Sequence, residues 1–261
     1  MVLKRTESFL ALMYHEIGVP GQPLCDSSPG YLRYVVPVDE FRKQLEILRN
    51  EGIRGCSITE LLDGRATFGS AIAITFDDGC QTDLSVAAPM LRDAKFGATF
   101  FIVPGFLGKP GYLTADGVRT LAGQGFEIGS HGMTHRFLTA LEPAALDEEL
   151  STSRRVLAEM SGPEIRHLSC PGGRWNRAVA DRAFALGYGS VSTSRIGRND
   201  PARDRARLAR LAVRRGTSAE TFRRRCRGIG LTRERWRAAL FATARRALGD
   251  TFYDSLQRRF G

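Results

Sequence analysis

Short runs of consecutive apolar residues alternate along this chain with stretches in which apolar residues recur at helical spacing. Apolar runs of this length predict buried strands, and the intervening stretches predict helices with one apolar face. Several runs lack any alternation, as expected of a parallel sheet that is covered on both faces. The predicted strands are Phe9–Tyr14, Ala71–Phe76, Ala98–Val103, Phe126–Ile128, Ile165–Leu168, Tyr188–Ser192 and Leu208–Val213.

Capping residues mark helices between these strands. Asp39 is expected to N-cap one helix, and Thr114 is expected to N-cap a second that runs to Ala122. Pro143 is expected to open a third helix, which runs to Met160. Repeated strand–helix units predict an α/β fold with a parallel sheet, either open or closed into a barrel.

The net charge of +10 is concentrated near the C-terminus. Residues 201–261 contain 17 Arg and five acidic residues, so the rest of the chain is close to neutral. Because the last predicted strand precedes the most basic part, we place a barrel domain at residues 1–215 and a basic helical extension at residues 216–261. The segment Thr232–Leu248 has an apolar side among its arginines. It is either a helix packed on the barrel with solvated arginines, or a contact for an anionic membrane surface or an acidic glycan.

The cysteines and the N-terminal segment exclude several classes of protein. The five cysteines are odd in number and form no CxxC pair, which argues against a disulfide framework and against a thiolate zinc site. The N-terminus lacks the small-residue cleavage site of a signal peptide, and no stretch of 18 apolar residues occurs. We therefore expect a cytoplasmic protein, with a peripheral position at the inner membrane if the tail binds lipid. The pattern predicts no particular oligomeric state.

Chemistry-bearing residues follow several predicted strands, at the edge where parallel α/β folds place active sites. In the segment Thr75–Gly79, Asp77 and Asp78 precede a glycine. Two adjacent carboxylates at a turn can diverge, so that one binds a cation while the other stays free as a base. An Asp-Gly pair alone is also an ordinary turn signal.

A second segment, Ser130–His135, contains two of the four histidines. His131 and His135 are four residues apart, so they can share one ion only on a helical turn. With one aspartate they would suit Zn²⁺ or a similar divalent ion and would leave a coordination position open for water and substrate. The same spacing alone is also typical of a helix surface.

The loop Pro171-Gly172-Gly173 and His15 also follow predicted strands. Consecutive glycines let the backbone approach a ligand closely, so an exposed amide of this loop could stabilise an oxyanion. His15, at the end of the first strand, is a candidate general acid or base. The alternatives are a simple loop and a satisfied, partly buried histidine.

The motif TFDDG at 75–79, followed by GSHGMTH at 129–135, resembles the polysaccharide deacetylase family, also called the NodB homology domain or carbohydrate esterase family 4. The resemblance covers about residues 9–215. It implies a distorted, TIM-like (β/α) barrel of seven or eight strands. It also implies a metal-dependent hydrolase that removes N-acetyl groups from N-acetylhexosamine units of a polysaccharide or lipid-linked oligosaccharide, as in exopolysaccharide biosynthesis.

Carried over by position, the resemblance implies that Asp77 is the general base and that Asp78, His131 and His135 hold one divalent ion. The ion is expected to be Zn²⁺, with Ni²⁺, Co²⁺ and Mn²⁺ as alternatives. The Pro171–Gly172 loop would line the acetyl pocket, and its glycine N–H would donate to the oxyanion.

The chain departs from the family pattern at three places. Gly132 stands where Ser or Thr usually follows the first histidine, and Ser169 stands where Arg often precedes the proline by two residues. The usual C-terminal Leu-His pair is missing, since no histidine follows His167. The N-terminal MYHEI segment resembles that of the subgroup that deacetylates poly-N-acetylglucosamine, which implies that His15 supplies the general acid. Without the arginine, the orientation of Asp77 is unexplained.

Two other functions stay open from the sequence. An O-acetyl esterase could use the same residues on an ester. A catalytically weakened carbohydrate-binding or scaffold protein would agree with the missing arginine, although the retained base and ligands argue against it. The expected partner is an N-acetylated glycan, and nucleic acid is not expected, because a nucleic-acid binder would not need the Asp-His site.

Overall fold

The fold is built around a parallel sheet, in a computed structural model that describes residues 8–162 and 164–236. The strands are Leu10–Tyr14 (β1), Glu16–Gly18 (β2), Val35–Pro37 (β3), Arg54–Cys56 (β4), Ala71–Asp78 (β5), Thr99–Ile102 (β6), Glu127–Ser130 (β7), His167–Ser169 (β8), Ser190–Ser192 (β9) and Leu211–Ala212 (β10). The helices are Pro29–Leu32 (α1), Val38–Asn50 (α2), Ile58–Leu62 (α3), Ala88–Ala94 (α4), Ala115–Gly123 (α5), Pro143–Ser161 (α6), Arg177–Ala185 (α7) and Ala219–Cys226 (α8).

The strands of the main sheet lie in the order β10-β1-β5-β6-β7-β8-β9, and neighbouring strands are parallel. β4 pairs with the first half of β5, while β2 and β3 form a separate two-stranded ribbon. A bridge between Ser192 of β9 and Leu208 joins the far end of the sheet to the segment that leads into β10. The sheet therefore curls back toward β1, which confirms the predicted α/β fold of a distorted barrel.

The central strands are buried on both faces. Every residue of β1 and β5 is buried, as the uninterrupted apolar runs predict. The rings of Tyr14, Phe76 and Phe100 stack across β1, β5 and β6, with centroid separations of 5.3 and 4.8 Å. Phe41 of α2 packs edge-on against the first two rings. Burial of each such side chain contributes about 1.5–3 kcal/mol, so this layer fixes the three strands whose ends carry the candidate site.

Six of the seven predicted strands are confirmed, with shifts of one or two residues at their ends. The seventh, Leu208–Val213, is a regular strand only at β10. Its earlier residues bond to a loop instead, since Ala209 N–H donates to Asn199 Oδ1 at 2.6 Å and Arg210 N–H donates to the Arg195 carbonyl at 2.9 Å. β2, β3 and β4 were not predicted, because three residues are too few to show a periodicity.

Two of the three predicted helix starts are confirmed. Thr114 caps α5 and accepts a hydrogen bond from Gly117 N–H at 3.1 Å, and Pro143 is the first residue of α6. The prediction that Asp39 caps α2 is wrong, because Pro37 occupies the N-cap and the helix begins at the next residue. Proline suits a helix start, since its φ is already fixed and it has no N–H to leave unpaired.

The first part of the basic tail is a helix packed on the barrel. α8 lies against α2 and buries Phe222 and Cys226. Arg223 and Arg227 form ion pairs with Glu51, at the end of α2. The described part of the tail thus agrees with simple packing.

Part of the predicted tail helix lies outside the described residues. Residues 231–236 are helical, but the remainder of the predicted Thr232–Leu248 helix is beyond them. The division into a domain at residues 1–215 and an extension at residues 216–261 therefore stays a prediction. Within the described ranges, no helix has the length and apolar character needed to cross a membrane.

Replacing Phe222 with alanine tests whether α8 contributes to the folded barrel. Because the ring is only 1% exposed, we expect the free energy of unfolding to fall by about 3–5 kcal/mol. Urea denaturation followed by circular dichroism measures the loss, with Arg224→Ala on the exposed side of α8 as the control. An unchanged midpoint for Phe222→Ala would show that the helix adds nothing to the stability of the barrel.

Candidate active site and metal centre

Asp77 and Asp78 are the last two residues of β5. The backbone φ is 80° at Asp78 and 82° at Gly79, so the chain leaves the strand in the left-handed region. This conformation costs a residue with a side chain about 1–2 kcal/mol, and such strain is concentrated at functional sites. The turn gives the two adjacent carboxylates different partners.

The structure brings Asp78 together with both predicted histidine ligands. Asp78 Oδ1 lies 3.5 Å from His131 Nε2 and 3.4 Å from His135 Nε2, and the three ligand atoms lie within 4.8 Å of one another. This buried oxygen has no hydrogen-bond partner in the part of the chain that the structure describes. Buried polar atoms are nearly always paired, so an unpaired oxygen beside two imidazole nitrogens fits a bound cation. One carboxylate and two imidazoles suit Zn²⁺ and leave room for water and substrate.

Neighbouring groups orient both histidines. His131 Nδ1–H donates to the Ser169 carbonyl at 2.8 Å, which leaves Nε2 free to face an ion. His135, with φ of 64°, ends a turn that Glu149 of α6 holds in place. The Glu149 carboxylate accepts hydrogen bonds from Thr134 N–H at 2.6 Å and from the Thr134 hydroxyl at 3.0 Å.

Gly132 belongs to the same turn and explains one departure from the family pattern. Its φ is 75°, and a Cβ at this position would lie 3.1 Å from Glu149 Oε1. Serine or threonine here would strain the backbone and crowd the carboxylate that holds the turn.

Burial gives the ligand residues unusual pKa values. Desolvation raises the pKa of Asp78 to about 6, with a further contribution from the Asp77 charge and an opposing one from His15. Desolvation lowers the pKa of His131 to about 3, and it also lowers the pKa of His135. Both imidazoles are therefore neutral near pH 7, which is the form that binds a metal ion.

A buried arginine outside the family motifs holds Asp77. The Arg210 side chain is 1% exposed, and it donates to the two carboxylate oxygens of Asp77 at 2.7 and 2.8 Å. It also donates to Ser169 Oγ at 2.7 Å, and that hydroxyl donates to Asp77 Oδ2 at 3.2 Å. Burial raises the pKa of Asp77, but the charge and hydrogen bonds of Arg210, together with the charges of His131 and His15, outweigh burial and hold the pKa well below its ordinary value.

Arg210 explains how Asp77 is oriented without the usual arginine. Ser169 occupies the position of that arginine, and its short side chain bonds to a guanidinium that comes from the segment before β10. Motif comparison missed this residue. The available signal was a single charged residue inside the apolar run Leu208–Val213, because a charge in a buried strand needs a partner.

His15 lies at the end of β1, close to the same aspartates. Its ring centroid is 4.6 Å from that of Tyr34, and its buried Nδ1 has no hydrogen-bond partner among the described residues. A charge on His15 acts to lower the pKa of both Asp77 and Asp78. By contrast, His167 is bonded through both ring nitrogens at the opposite edge of the sheet.

The Pro171–Gly172 loop lies beside the histidine turn. A Cβ added at Gly132 would lie 3.7 Å from Pro171 Cγ. The φ of Gly172 is 63°, and a Cβ there would lie 2.7 Å from the exposed ring of Phe137, so glycine is required. The loop is thus close to the candidate metal centre, while the role of the Gly172 N–H stays a prediction.

Arg210→Met tests the importance of the buried ion pair. The variant leaves the Asp77 carboxylate buried without its partner, so we expect the free energy of unfolding at pH 7 to fall by about 3–5 kcal/mol. Because the pKa of Asp77 is lowered by folding, the pair stabilises the protein above the unfolded pKa of about 3.9. That contribution is lost as the pH falls through the lowered folded value. Urea denaturation should therefore show a smaller difference between wild type and variant at about pH 3 than at pH 7.

Arg203→Met is the matched control, since this arginine is largely exposed, and it should change stability by less than about 1 kcal/mol. Equal losses in the two variants, or a loss for Arg210→Met that is independent of pH, would contradict the interpretation.

Known proteins share both the sequence and the fold. Residues 64–191 match the family model for polysaccharide deacetylases. The chain is 28% identical to YxkH of Bacillus subtilis (strain 168), which is named as a polysaccharide deacetylase, over 215 residues that cover 81% of this chain and 73% of that protein. It is 32% identical to the peptidoglycan-N-acetylglucosamine deacetylase of Bacillus cereus over 121 residues, 46% of this chain. That match spans only about half of the relative, 54% of its length.

A solved structure supports the architecture. The deacetylase PplD of Streptococcus pyogenes, in complex with acetate, superposes with a TM-score of 0.72 at 24% identity and covers 82% of this chain and 96% of its own. At this level of identity the likeness shows a common fold.

Proposed function

Because this chain belongs to the polysaccharide deacetylase family, we propose that it is a metal-dependent N-deacetylase. Its substrate would be the acetamide of N-acetylhexosamine units in a polysaccharide or a lipid-linked oligosaccharide. The observation that carries the proposal is the buried Asp78 Oδ1 between His131 and His135, unpaired within the described residues, with the ionised Asp77 beside it. Metal-dependent amide hydrolysis uses a bound Lewis acid with a base next to it.

Asp78, His131 and His135 would hold one divalent ion. We favour Zn²⁺, and Ni²⁺, Co²⁺ and Mn²⁺ are compatible with the same donors. When bound, the ion would supply a Lewis acid for the acetamide carbonyl and for the attacking water. The Ser169 carbonyl and Glu149 keep the two histidines in position for it.

Asp77 would accept the proton of the attacking water. Its Oδ2 lies 3.8 Å from His131 Nε2, which places the carboxylate next to the ligand atoms. Arg210 keeps this carboxylate ionised and fixes its plane through two hydrogen bonds. A carboxylate with a lowered pKa is a weak base, so proton transfer to Asp77 would depend on the lowered pKa that a bound ion gives the attacking water.

His15 would protonate the departing amine, which is a poor leaving group without an acid. The Nδ1 of His15, which has no hydrogen-bond partner in the described part of the chain, and the proximity of the ring to both aspartates support this role. The Gly172 N–H would donate to the carbonyl oxygen as it gains negative charge. The likeness of the MYHEI segment to the poly-N-acetylglucosamine subgroup motivates the assignment of His15.

The proposed substrate class also agrees with the names of the relatives. One is a peptidoglycan-N-acetylglucosamine deacetylase, and PplD was solved with acetate. For the basic tail we propose packing on the barrel, because Arg223 and Arg227 are already paired with Glu51. Contact with an anionic membrane would then depend on residues beyond 236.

Acetate release tests the proposed reaction. The full chain loaded with Zn²⁺ should release acetate from N-acetylglucosamine oligomers faster than from O-acetylated oligomers of equal length. Asp77→Asn should keep its ion but lose turnover by about 10²–10⁴-fold, because it lacks the base. His131→Ala should lose both the ion and turnover.

Asp116→Asn, which changes an exposed carboxylate of α5, is the matched control and should keep both properties. Full metal occupancy in His131→Ala would refute the ligand assignment. Preference for O-acetylated oligomers would identify an esterase instead.

His15→Ala tests the proposed general acid. The loss in kcat/KM should be larger for an N-acetylated substrate than for an acetyl ester of an acidic phenol, because only the amine needs protonation to leave. The ratio of the two losses is the measured quantity. A ratio near one would mean that His15 does not protonate the leaving group.

A further inference from the structure

We propose a second metal site, formed by Glu16, Cys25 and Cys80, for a thiophilic divalent ion such as Zn²⁺. It is separate from the centre at Asp78, His131 and His135, and it does not depend on the deacetylase reaction.

Three segments that are distant in sequence bring these ligands together. Glu16 lies in β2, Cys25 in the loop before α1, and Cys80 two residues after the end of β5. One carboxylate oxygen and the two sulfur atoms lie within 4.8 Å of one another. The Cys25 N–H donates to both carboxylate oxygens of Glu16, each at 3.2 Å, so the loop is already fixed to the first ligand.

Neighbouring groups hold the two sulfur atoms. Cys25 Sγ–H donates to the Gly111 carbonyl at 2.9 Å, and Tyr31 Oη lies 3.2 Å from Cys80 Sγ. A tyrosine hydroxyl can donate to a thiolate that binds a metal ion, as outer groups of metal sites commonly do. The Tyr31 contact would persist when Cys80 binds an ion as a thiolate, whereas Cys25 would exchange its Sγ–H bond to Gly111 for a bond to the ion.

Two carboxylates at this cluster are buried without a cationic partner among the described residues. Glu16 and Asp83 are both 0% exposed, and neither pairs with Lys, Arg or His within residues 8–162 and 164–236. Both carboxylate oxygens of Asp83 also lack a hydrogen-bond partner there.

A divalent ion would remove this unfavourable arrangement. Buried carboxylates without a cationic partner are costly. Two thiolates with one carboxylate form a suitable set for tetrahedral Zn²⁺, with water as the fourth ligand. Zinc bonds of about 2.0 Å to oxygen and about 2.3 Å to sulfur require ligand atoms roughly 3.5 Å apart. The side chains would have to close by about 1 Å. The ion would then tie the Cys25 loop to the turn that follows Asp78.

Cobalt substitution of the full chain distinguishes the two sites. We expect two Co²⁺ ions per chain by elemental analysis, together with a sulfur-to-cobalt charge-transfer band in the near ultraviolet, which carboxylate and imidazole ligands do not give. Cys25→Ser/Cys80→Ser should lose one ion and the band. His131→Ala should lose the other ion and keep the band, so failure of one site is distinguishable from failure of the other.

Cys56→Ser is the matched control, because this cysteine is also buried but lies outside the cluster. It should retain both ions and the band. The wild-type spectrum alone tests the proposal, so the proposal can still be refuted if the double variant fails to fold. One ion per chain without the band, or a Cys25–Cys80 disulfide found by mass spectrometry in the protein as purified, would overturn it.

Discussion

The buried ion pair between Asp77 and Arg210 joins the strands that close the barrel and also orients the proposed base at their carboxyl ends. Removing two charges from water is costly, and such a pair is favourable only when its remaining polar atoms are satisfied. Arg210 meets this condition, since its guanidinium makes five hydrogen bonds. Two go to Asp77, and the others go to Thr75 Oγ1, Ser169 Oγ and the Thr193 carbonyl. These acceptors come from β5, the end of β8 and the segment after β9, so one side chain joins strands from opposite ends of the sheet order.

The same ion pair explains why a serine stands at position 169. In the family pattern an arginine often stands at this position, whereas here the guanidinium comes from residue 210 and needs an acceptor rather than a second positive charge. Ser169 provides that acceptor through Oγ and holds His131 through its carbonyl. Ser169 therefore forms hydrogen bonds with both the proposed base and a proposed metal ligand. This explains why loss of the usual arginine does not by itself indicate an inactive protein.

The sequence was sufficient for those features that depend on local patterns. Uninterrupted apolar runs predicted the buried strands, and the segments 75–79 and 129–135 predicted side chains that the fold brings together. The lone charge of Arg210 in an apolar run was visible, but its partner was not, because Asp77 is 133 residues away and the pairing depends on how the sheet curls. The cluster of Glu16, Cys25 and Cys80 has no CxxC spacing, since each ligand comes from a different segment. Spacing rules detect sites whose ligands lie on one turn or hairpin. They miss sites whose ligands come from separate loops that meet at one end of a barrel.

Asp77 and Asp78 are adjacent in sequence, yet the fold moves their pKa values in opposite directions. Burial acts on both, but Arg210 forms hydrogen bonds with Asp77. These bonds and the charges of Arg210, His131 and His15 lower the pKa of Asp77, while that of Asp78 rises to about 6. Environments that separate the pKa values of paired carboxylates assign them different roles. Asp77 is kept ionised by Arg210 without a metal ion and can accept a proton. Asp78 bears an unfavourable charge near pH 7 that a divalent cation would stabilise. Metal binding would offset the cost of burying Asp78 and of its left-handed backbone, which is the physical reason for proposing the first aspartate as the base and the second as the ligand.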